Sequence, residues 1–293
     1  MSKDENLINE VMGVYDVVAE IFDDVFRNEE ESKRHGQWLN DVLKDLNVKK
    51  VIDAGAGTGE QAIQLWQSGN FDVVVANDLN LAMLNCCRDK LTERGIHFQE
   101  GWPAVADLSF LAVTQSDWAE LDTKLPEGSF DAIVCLGIAF YHLLTEERFI
   151  AALNCWNRLL RPGGYVIIDT PCEHEEIGGQ IRSGVFTPAP WNWSASEWCG
   201  RSGIRYTHVH GMEFTPLTSS PLGWRTFNTF IVAELTPERR ADKLWTFSSG
   251  GAILDKKTMK DLSHKSNFML SDMPKSSPCL YEQVQDFLLQ KVK

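Results

Sequence analysis

The sequence predicts an α/β fold: an open, doubly wound, mainly parallel sheet with helices on both faces. Three observations carry this. The apolar run Val51-Ile52-Asp53-Ala54 climbs into Gly55-Ala56-Gly57-Thr58-Gly59, and helix-forming sequence follows from Gln61, which reads as strand, tight turn and helix. Runs rich in β-branched residues recur at 71–77, 110–114 and 165–170, with helical periodicity between them. The run at 130–136 is almost wholly apolar, as a central parallel strand covered on both faces must be.

The totals bound the molecule. A chain of 293 residues, 43% hydrophobic, suffices for one large domain with insertions. A net charge of −13 argues against nucleic acid as a partner, because phosphate backbones call for clustered Lys and Arg. The seven Cys include no Cys-x-x-Cys pair and read as reduced, mostly buried thiols rather than a disulfide framework or a metal site. Met1 to Asn6 lack signal-peptide character, and the longest apolar run, 133–144, is broken by Gly137 and His142. A cytoplasmic protein that spans no membrane is expected.

Taken in order, residues 7–27 read as an amphipathic helix through Leu7, Val11, Val14, Val18, Ile21 and Val25, interrupted by Tyr15. A second helix follows the acidic stretch Glu29-Glu30-Glu31 and passes through Trp38, Leu39, Val42 and Leu43. The glycine turn is spaced Gly-x-Gly-x-Gly. Where a dinucleotide loop has its third glycine stands Glu60, an acid that would oppose a pyrophosphate at a helix N-terminus. A ligand without phosphate fits better, and Asp53 before the turn suits a cationic one. Asp78 ends the second strand, about 20 residues past the glycines, where an acid can accept from both hydroxyls of a ribose. Residues 79–91 read as a helix with Met83 facing the ligand. Residues 95–107 read as irregular. Asp117-Trp118 end the third strand as an acceptor for an exocyclic amine beside a ring face. After the fourth strand, 137–143 lies where open α/β sheets bind ligands. Thr145 caps a helix with Glu146 and Glu147 in its first turn. Beyond 171 the sequence is less regular: a Pro/Trp-rich stretch at 188–198, a strand meander at 205–215 and 224–234, a helix at 256–264 and a last strand at 281–291.

By this point the chain resembles class I S-adenosylmethionine-dependent methyltransferases, and within them the glycine/sarcosine N-methyltransferase group. The resemblance rests on Tyr15-Asp16, the 53–59 glycine motif, Asp78, Asp117-Trp118, Cys135-Leu136-Gly137 with His142-Leu143, Leu160-Arg161-Pro162-Gly163-Gly164, Ile167-Ile168-Asp169 and Pro278-Cys279-Leu280-Tyr281. It implies a Rossmann-like, seven-stranded methyltransferase sheet and S-adenosyl-L-methionine as cofactor, with S-adenosyl-L-homocysteine as product. Residues 1–48 would form a helical cap, 49–171 the cofactor core, 172–255 the acceptor lid and meander, and 256–293 a C-terminal helix and strand. Tyr15 and His142 would hold the amino-acid end of the cofactor at the reaction centre. Ala54, Gly55, Ala56, Gly57 and Gly59 would line its spine, and Leu79, Met83, Leu136 and Gly137 its remaining walls. Asp78 would take the ribose, Asp117 and Trp118 the adenine. The family's carboxylate-binding arginine falls nearest Lys33 or Arg34.

Two positions depart from the family's pattern. Ile138 stands where the family has Asn, and Asp169-Thr170-Pro171-Cys172-Glu173 lacks the family's glycine-clamping Arg. The expected activity is therefore methyl transfer to a small-molecule acceptor, an amine nitrogen of an amino acid or related amine. A small-molecule O-methyltransferase, with His142 or Glu173 as base, and a non-catalytic cofactor-binding subunit are the alternatives. Tyr141, Glu173, Trp191, Trp193, Trp224 and Arg225 are the candidate acceptor residues. The acids Glu173, Glu175 and Glu176 with Trp191, Trp193 and Trp198 point to a cationic amine. No metal is expected, and the sequence leaves the oligomeric state open.

Overall fold

Most of the apolar strand residues are buried on both faces, so the strands stand side by side in one sheet between two helical layers. The computed structural model describes residues 13–26, 29–103, 109–171, 192–216, 224–254, 256–275, 278 and 284–292. Its strands are β1 (Lys50–Ala54), β2 (Val73–Asp78), β3 (Gln99–Glu100), β4 (Phe110–Gln115), β5 (Phe130–Cys135), β6 (Leu160–Pro171), β7 (Asn192–Cys199), β8 (Arg205–Pro216), β9 (Trp224–Leu235), β10 (Ala241–Ile253), β11 (Phe268–Ser271) and β12 (Val284–Lys291). Its helices are α1 (13–18), α2 (Phe22–Phe26), α3 (Glu29–Asp45), α4 (Glu60–Gln67), α5 (Leu81–Glu93), α6 (Glu146–Leu159) and α7 (Lys256–Lys265).

The main sheet is 8-stranded, in the order β11-β12-β6-β5-β1-β2-β4-β3. From β6 to β3 all neighbours are parallel, and only β12 runs against β6 and β11. Alternation assigns the faces. Ile52, Val73, Val75, Ile133 and Ile168 pack with Phe149, Leu153 and Trp156 of α6. Val51, Val74, Val134 and Ile167 pack with Leu39, Val42 and Leu43 of α3, Ile63 of α4 and Leu84 of α5. The chain leaves β1 toward β2 on one side, and β5 lies on the other. The topological switch point is thus β1/β5, where such sheets open a crevice.

Several boundaries differ from the sequence expectation, each for a local reason. The stretch read as one helix at 7–27 is broken within its described part. A 3-10 turn, Ala19–Ile21, separates α1 from α2, with Val14, Val18 and Ile21 still buried. Helix α5 begins at Leu81 because the Asn80 side chain caps it, accepting from the Met83 N–H at 2.8 Å. The region read as irregular contains β3, whose two residues are both exposed and leave no burial pattern to read.

A second, antiparallel sheet of the order β10-β9-β8-β7 is inserted between β6 and α7. The sequence indicated β8 and β9 but not their neighbours. Strand β7 overlaps the Trp-rich stretch, and β10 carries Ser248-Ser249-Gly250-Gly251, which reads as a turn. The N-terminal segment joins the two sheets. Val14, Val18 and Ile21 pack on Tyr206, Val232, Trp245 and Phe247 of the second sheet. Asp24 accepts from the Ser202 N–H at 3.0 Å and the Tyr206 hydroxyl at 3.2 Å. On the other side Asp16 accepts from Asn80 at 2.8 Å, and Asp23 accepts from the Thr58 hydroxyl at 2.7 Å and pairs with Lys90 at 2.5 Å. Among the described residues, no helix is long and apolar enough to cross a membrane.

Candidate active site

A cavity of about 480 Å³ opens at the C-terminal ends of β1, β2, β4 and β5, the size of a small-molecule site. Its floor is the glycine turn. Gly55, Gly57 and Gly59 all have positive φ, at 88°, 55° and 80°. What a side chain would meet separates their roles. A Cβ on Gly55 would stand 3.1 Å from the Trp118 ring, and one on Gly57 3.1 Å from the Met83 methyl, both inside the cavity. A Cβ on Gly59 would stand 2.2 Å from Cys87 Sγ. Gly59 therefore serves the packing of α4 on α5, and neither it nor the buried strand residue Ala54 lines the cavity. Both correct the sequence expectation. The turn is held by the Asn77 carbonyl, which accepts from Gly55 and Ala56 N–H at 2.8 and 2.9 Å.

Asp78 anchors the turn as well. Its carboxylate accepts from the Gly57 N–H and the Asn80 N–H, each at 2.8 Å. Burial raises its pKa, and these backbone bonds oppose the rise. With Leu79 the backbone supplies three bonds to a carboxylate that can accept about four, so it can still accept from a ligand hydroxyl. Leu79 and Met83 line the wall beside it. Past β4, Asp117 accepts from the Ala119 N–H at 2.9 Å and from Arg148 Nη2 at 3.1 Å, while Trp118 packs near Phe140 and Trp156. Glu60 opens α4 in a cationic nest, 3.1 Å from Arg94, 3.7 Å from Arg201 and 3.8 Å from Lys90. Burial works to raise its carboxyl, but Arg94, Gln64, Lys90 and Arg201 outweigh that and hold it below its ordinary value.

Past β5, Leu136, Gly137 and Ile138 border the cavity. Ile138 has φ 64°, an unusual backbone for a β-branched residue. Asp169 of β6 secures it, accepting from the Gly137 N–H at 2.8 Å and the Ile138 N–H at 2.7 Å. Burial pushes the Asp169 carboxyl up to about 7 despite those two bonds, with Asp286 adding to the rise. The sequence placed Asp169 in a motif but gave it no role.

Tyr15 and His142 meet at the centre. The tyrosine hydroxyl lies 2.8 Å from His142 Nε2, and His142 Nδ1 lies 3.0 Å from the Gly250 carbonyl oxygen. A carbonyl only accepts, so Nδ1 carries the proton and Nε2 receives the tyrosine's. Burial lowers the His142 pKa to about 4, with the Gly250 bond opposing, so the imidazole is neutral. Burial also raises the Tyr15 hydroxyl, with Tyr141 and Asp78 adding to it. Tyr141 is buried, and Ser249 and Asn228 bond its hydroxyl. A Cβ on Gly251 would come within 1.9 Å of the Tyr141 ring, which is why that strand position is glycine.

The remaining candidates divide. Arg34 is exposed on α3 and does not line the cavity, because the helix turns it outward. His35, stacked on Trp38, and Gly36 line it instead. Trp198 donates to the Asp24 carbonyl at 2.8 Å and stacks on Tyr206, away from the cavity. Glu173 and Trp191 lie outside the described residues, with Glu175 and Glu176, and so do the side chains of Trp193, Trp224 and Arg225. The sequence missed Phe22, Phe26, Phe230, Phe247 and Ser249, which reach the cavity from α2 and the second sheet. Among the described residues no group of His, Cys, Asp or Glu is placed to hold a metal ion.

A parallel sheet reversed only at β12, with a glycine turn at its switch point and carboxylates closing the next strands, is the architecture of a class I S-adenosylmethionine-dependent methyltransferase, whose cofactor is S-adenosyl-L-methionine. Residues 52–168 match the family model described as a methyltransferase domain. The glycine/sarcosine N-methyltransferase of Aphanothece halophytica is 29% identical over 151 residues, 52% of this chain and 51% of that protein. That of Halorhodospira halochloris is 30% identical over 148 residues, 50% of this chain and 49% of that protein. The chain thus spans about half the length of the curated relatives it matches. A solved S-adenosylmethionine-dependent methyltransferase from Clostridium acetobutylicum ATCC 824 shares the fold with a TM-score of 0.68 at 13% identity, covering 95% of this chain and 99% of that one.

Proposed function

We propose that this protein transfers a methyl group from S-adenosylmethionine to a small-molecule acceptor, at an amine nitrogen of an amino acid or related amine. The glycine/sarcosine N-methyltransferases among its relatives support the class of acceptor. The observation that carries nitrogen over oxygen is the state of His142. Both ring nitrogens are engaged and burial lowers its pKa to about 4, so it is neutral and a poor general base at neutral pH. An uncharged amine needs no base to attack a methyl group, only alignment and exclusion of water.

The cavity fits the cofactor. Backbone at Gly55, Ala56 and Gly57 would pass along it, Asp78 would accept from the ribose, and Asp117 with Trp118 would hold the adenine. The bound cofactor supplies the electrophilic methyl. Tyr15, kept protonated and oriented by His142, would present its oxygen at the reaction end. The N-terminal helices and the second sheet would act as the lid. A second reading, O-methyl transfer, draws on Asp169, whose carboxyl near pH 7 suits a general base.

The test is S-adenosylhomocysteine release with glycine, sarcosine, simple amines and hydroxylated acids. Turnover of an amine supports the reading. Turnover of hydroxylated acids alone, abolished in Asp169→Asn, establishes the second. Cofactor binding with no turnover of any acceptor class would make the protein a binding subunit.

A further inference from the structure

The far side of the cavity is aromatic. From the Tyr15–His142 pair, rings continue to Phe22, 6.3 Å from Tyr15, then to Phe26 at 5.3 Å. Phe26 meets Phe230 and Phe247 edge-on at 5.7 and 5.8 Å, and those two stack at 5.0 Å. All four phenylalanines line the cavity. They come from α2 and from β9 and β10, whereas the cofactor-side residues come from β1, β2, β4 and the segments that follow them. The wall therefore lies beyond the reaction centre, on the acceptor's side. It is not closed: Phe26 is 38% exposed, and Phe22 and Phe230 are half-buried, so apolar ring surface remains for a ligand to cover.

Charge narrows the acceptor further. Glu31, Asp53, Glu60, Asp78, Asp117 and Asp169 line the cavity. Among the described lining residues Arg148 is the only Lys or Arg, and it is paired with Asp117 at 3.1 Å. Among the described lining residues an acceptor carboxylate would meet no spare Lys or Arg, and bringing it unpaired into a low-dielectric site is unfavourable.

We propose that the methyl acceptor is an amine with an aromatic or similarly large apolar body and no carboxylate, its nitrogen at Tyr15 and its body on the wall formed by Phe22, Phe26, Phe230 and Phe247. The proposal rests on the methyltransferase reading and goes beyond it in naming the acceptor's body. Ser249 and Tyr141 give that body a polar edge to recognise.

The test uses the full chain with S-adenosylmethionine and four acceptors: phenethylamine, its carboxylated counterpart phenylalanine, glycine and sarcosine. Release of S-adenosylhomocysteine is measured with each, and binding of phenethylamine to the S-adenosylhomocysteine complex is measured by calorimetry. The expected result is turnover of phenethylamine about tenfold or more above the three carboxylated compounds. Phe26→Ala should raise its KM by about tenfold, the loss of part of an aromatic burial, with kcat and S-adenosylhomocysteine affinity kept. Phe230→Leu, which keeps an apolar side chain, should raise it less. Glycine or sarcosine turned over faster than phenethylamine overturns the proposal and leaves the methyltransferase reading intact. Phenethylamine that binds through the wall but is never methylated overturns the proposal, because the wall then does not hold the methyl acceptor, while turnover of another acceptor class keeps the methyltransferase reading. A wall that only packs the lid would show a lowered Tm in Phe26→Ala with unchanged KM and binding, which also overturns the proposal.

Discussion

The Tyr15–His142–Gly250 chain predicts a mutational cost that changes with pH. Tyr15→Phe deletes a donor and leaves His142 Nε2 without the 2.8 Å partner it has now. The bond is part-buried, so the expected cost is about 1–2 kcal/mol. His142→Leu removes the middle member and strands two groups, the Tyr15 hydroxyl and the Gly250 carbonyl, for roughly twice as much at neutral pH. The double variant should cost about 1 kcal/mol less than the sum, because either single change already breaks the shared bond. The sign of the pH effect follows from the lowered pKa. In the unfolded chain His142 protonates below about 6.5. In the folded chain it stays neutral down to about 4. Between these values the unfolded state binds the extra proton, and wild-type stability falls as pH drops. Leucine carries no such penalty. The cost of His142→Leu should therefore shrink by about 2 kcal/mol from pH 7 to pH 4.5, a discount on the full linkage value because the ring is only part-buried. Denaturant unfolding of both proteins at several pH values measures it. A cost that stays constant with pH would refute the neutral, doubly engaged histidine. Asp169 works in the opposite direction, since its raised carboxyl stabilises the fold at low pH and loses that contribution as pH rises toward 7.

Asp78→Ala should weaken S-adenosylhomocysteine binding by roughly 1–3 kcal/mol in calorimetry, since it removes the ribose acceptor and releases the Gly57 and Asn80 N–H groups; unchanged affinity would remove the ribose assignment. Gly57→Ala should cost less, about 1–2 kcal/mol of left-handed backbone strain, because the Met83 methyl at 3.1 Å can move aside. Gly251→Ala drives a methyl within 1.9 Å of the Tyr141 ring and should lower stability by about 1–3 kcal/mol or more. A thermal melt of Gly251→Ala with Tyr141→Ala should show the clash relieved, and additive losses would contradict it. NAD and NADP should give no thermal shift at micromolar concentration, because the buried Glu60 occupies the end of the glycine turn where a pyrophosphate would lie; a shift with either would count against the cofactor assignment.

The cofactor side was legible because its parts are local in sequence. Strand, turn and helix occupy 50–67 without interruption, and Asp78 and Asp117 fall at or just past strand ends that alternation and β-branching reveal. Where that reading erred, the cause was three-dimensional. Gly59 looks like its two neighbours in the motif, but only the approach of Cys87 on α5 shows that it is there for packing. Arg34 lies near the right place along the chain and on the wrong side of its helix. Strand β10 was unreadable because Gly250-Gly251 breaks every strand propensity, and its reason, room for Tyr141 and a carbonyl for His142, lies in another element.

The acceptor side failed to show for a related reason, and that failure bears on what the relatives can say. Its ring contacts join Phe26 of α2 to Phe230 of β9 and Phe247 of β10, elements far apart along the chain. No periodicity or spacing encodes such pairs. The family match, 52–168, begins after the helix that carries Phe22 and Phe26 and ends before β7 begins at Asn192, so it includes neither that helix nor β9 and β10. The part of the chain that matches the domain family therefore carries the glycine turn, Asp78, Asp117 and Trp118, and the part that builds the aromatic wall lies outside it. Because the main sheet's core does not depend on the residues of that wall, they are free to differ while the glycine turn and Asp78 stay in place. The family match thus argues for the methyl donor, while the acceptor must be read from Phe22, Phe26, Phe230 and Phe247 themselves.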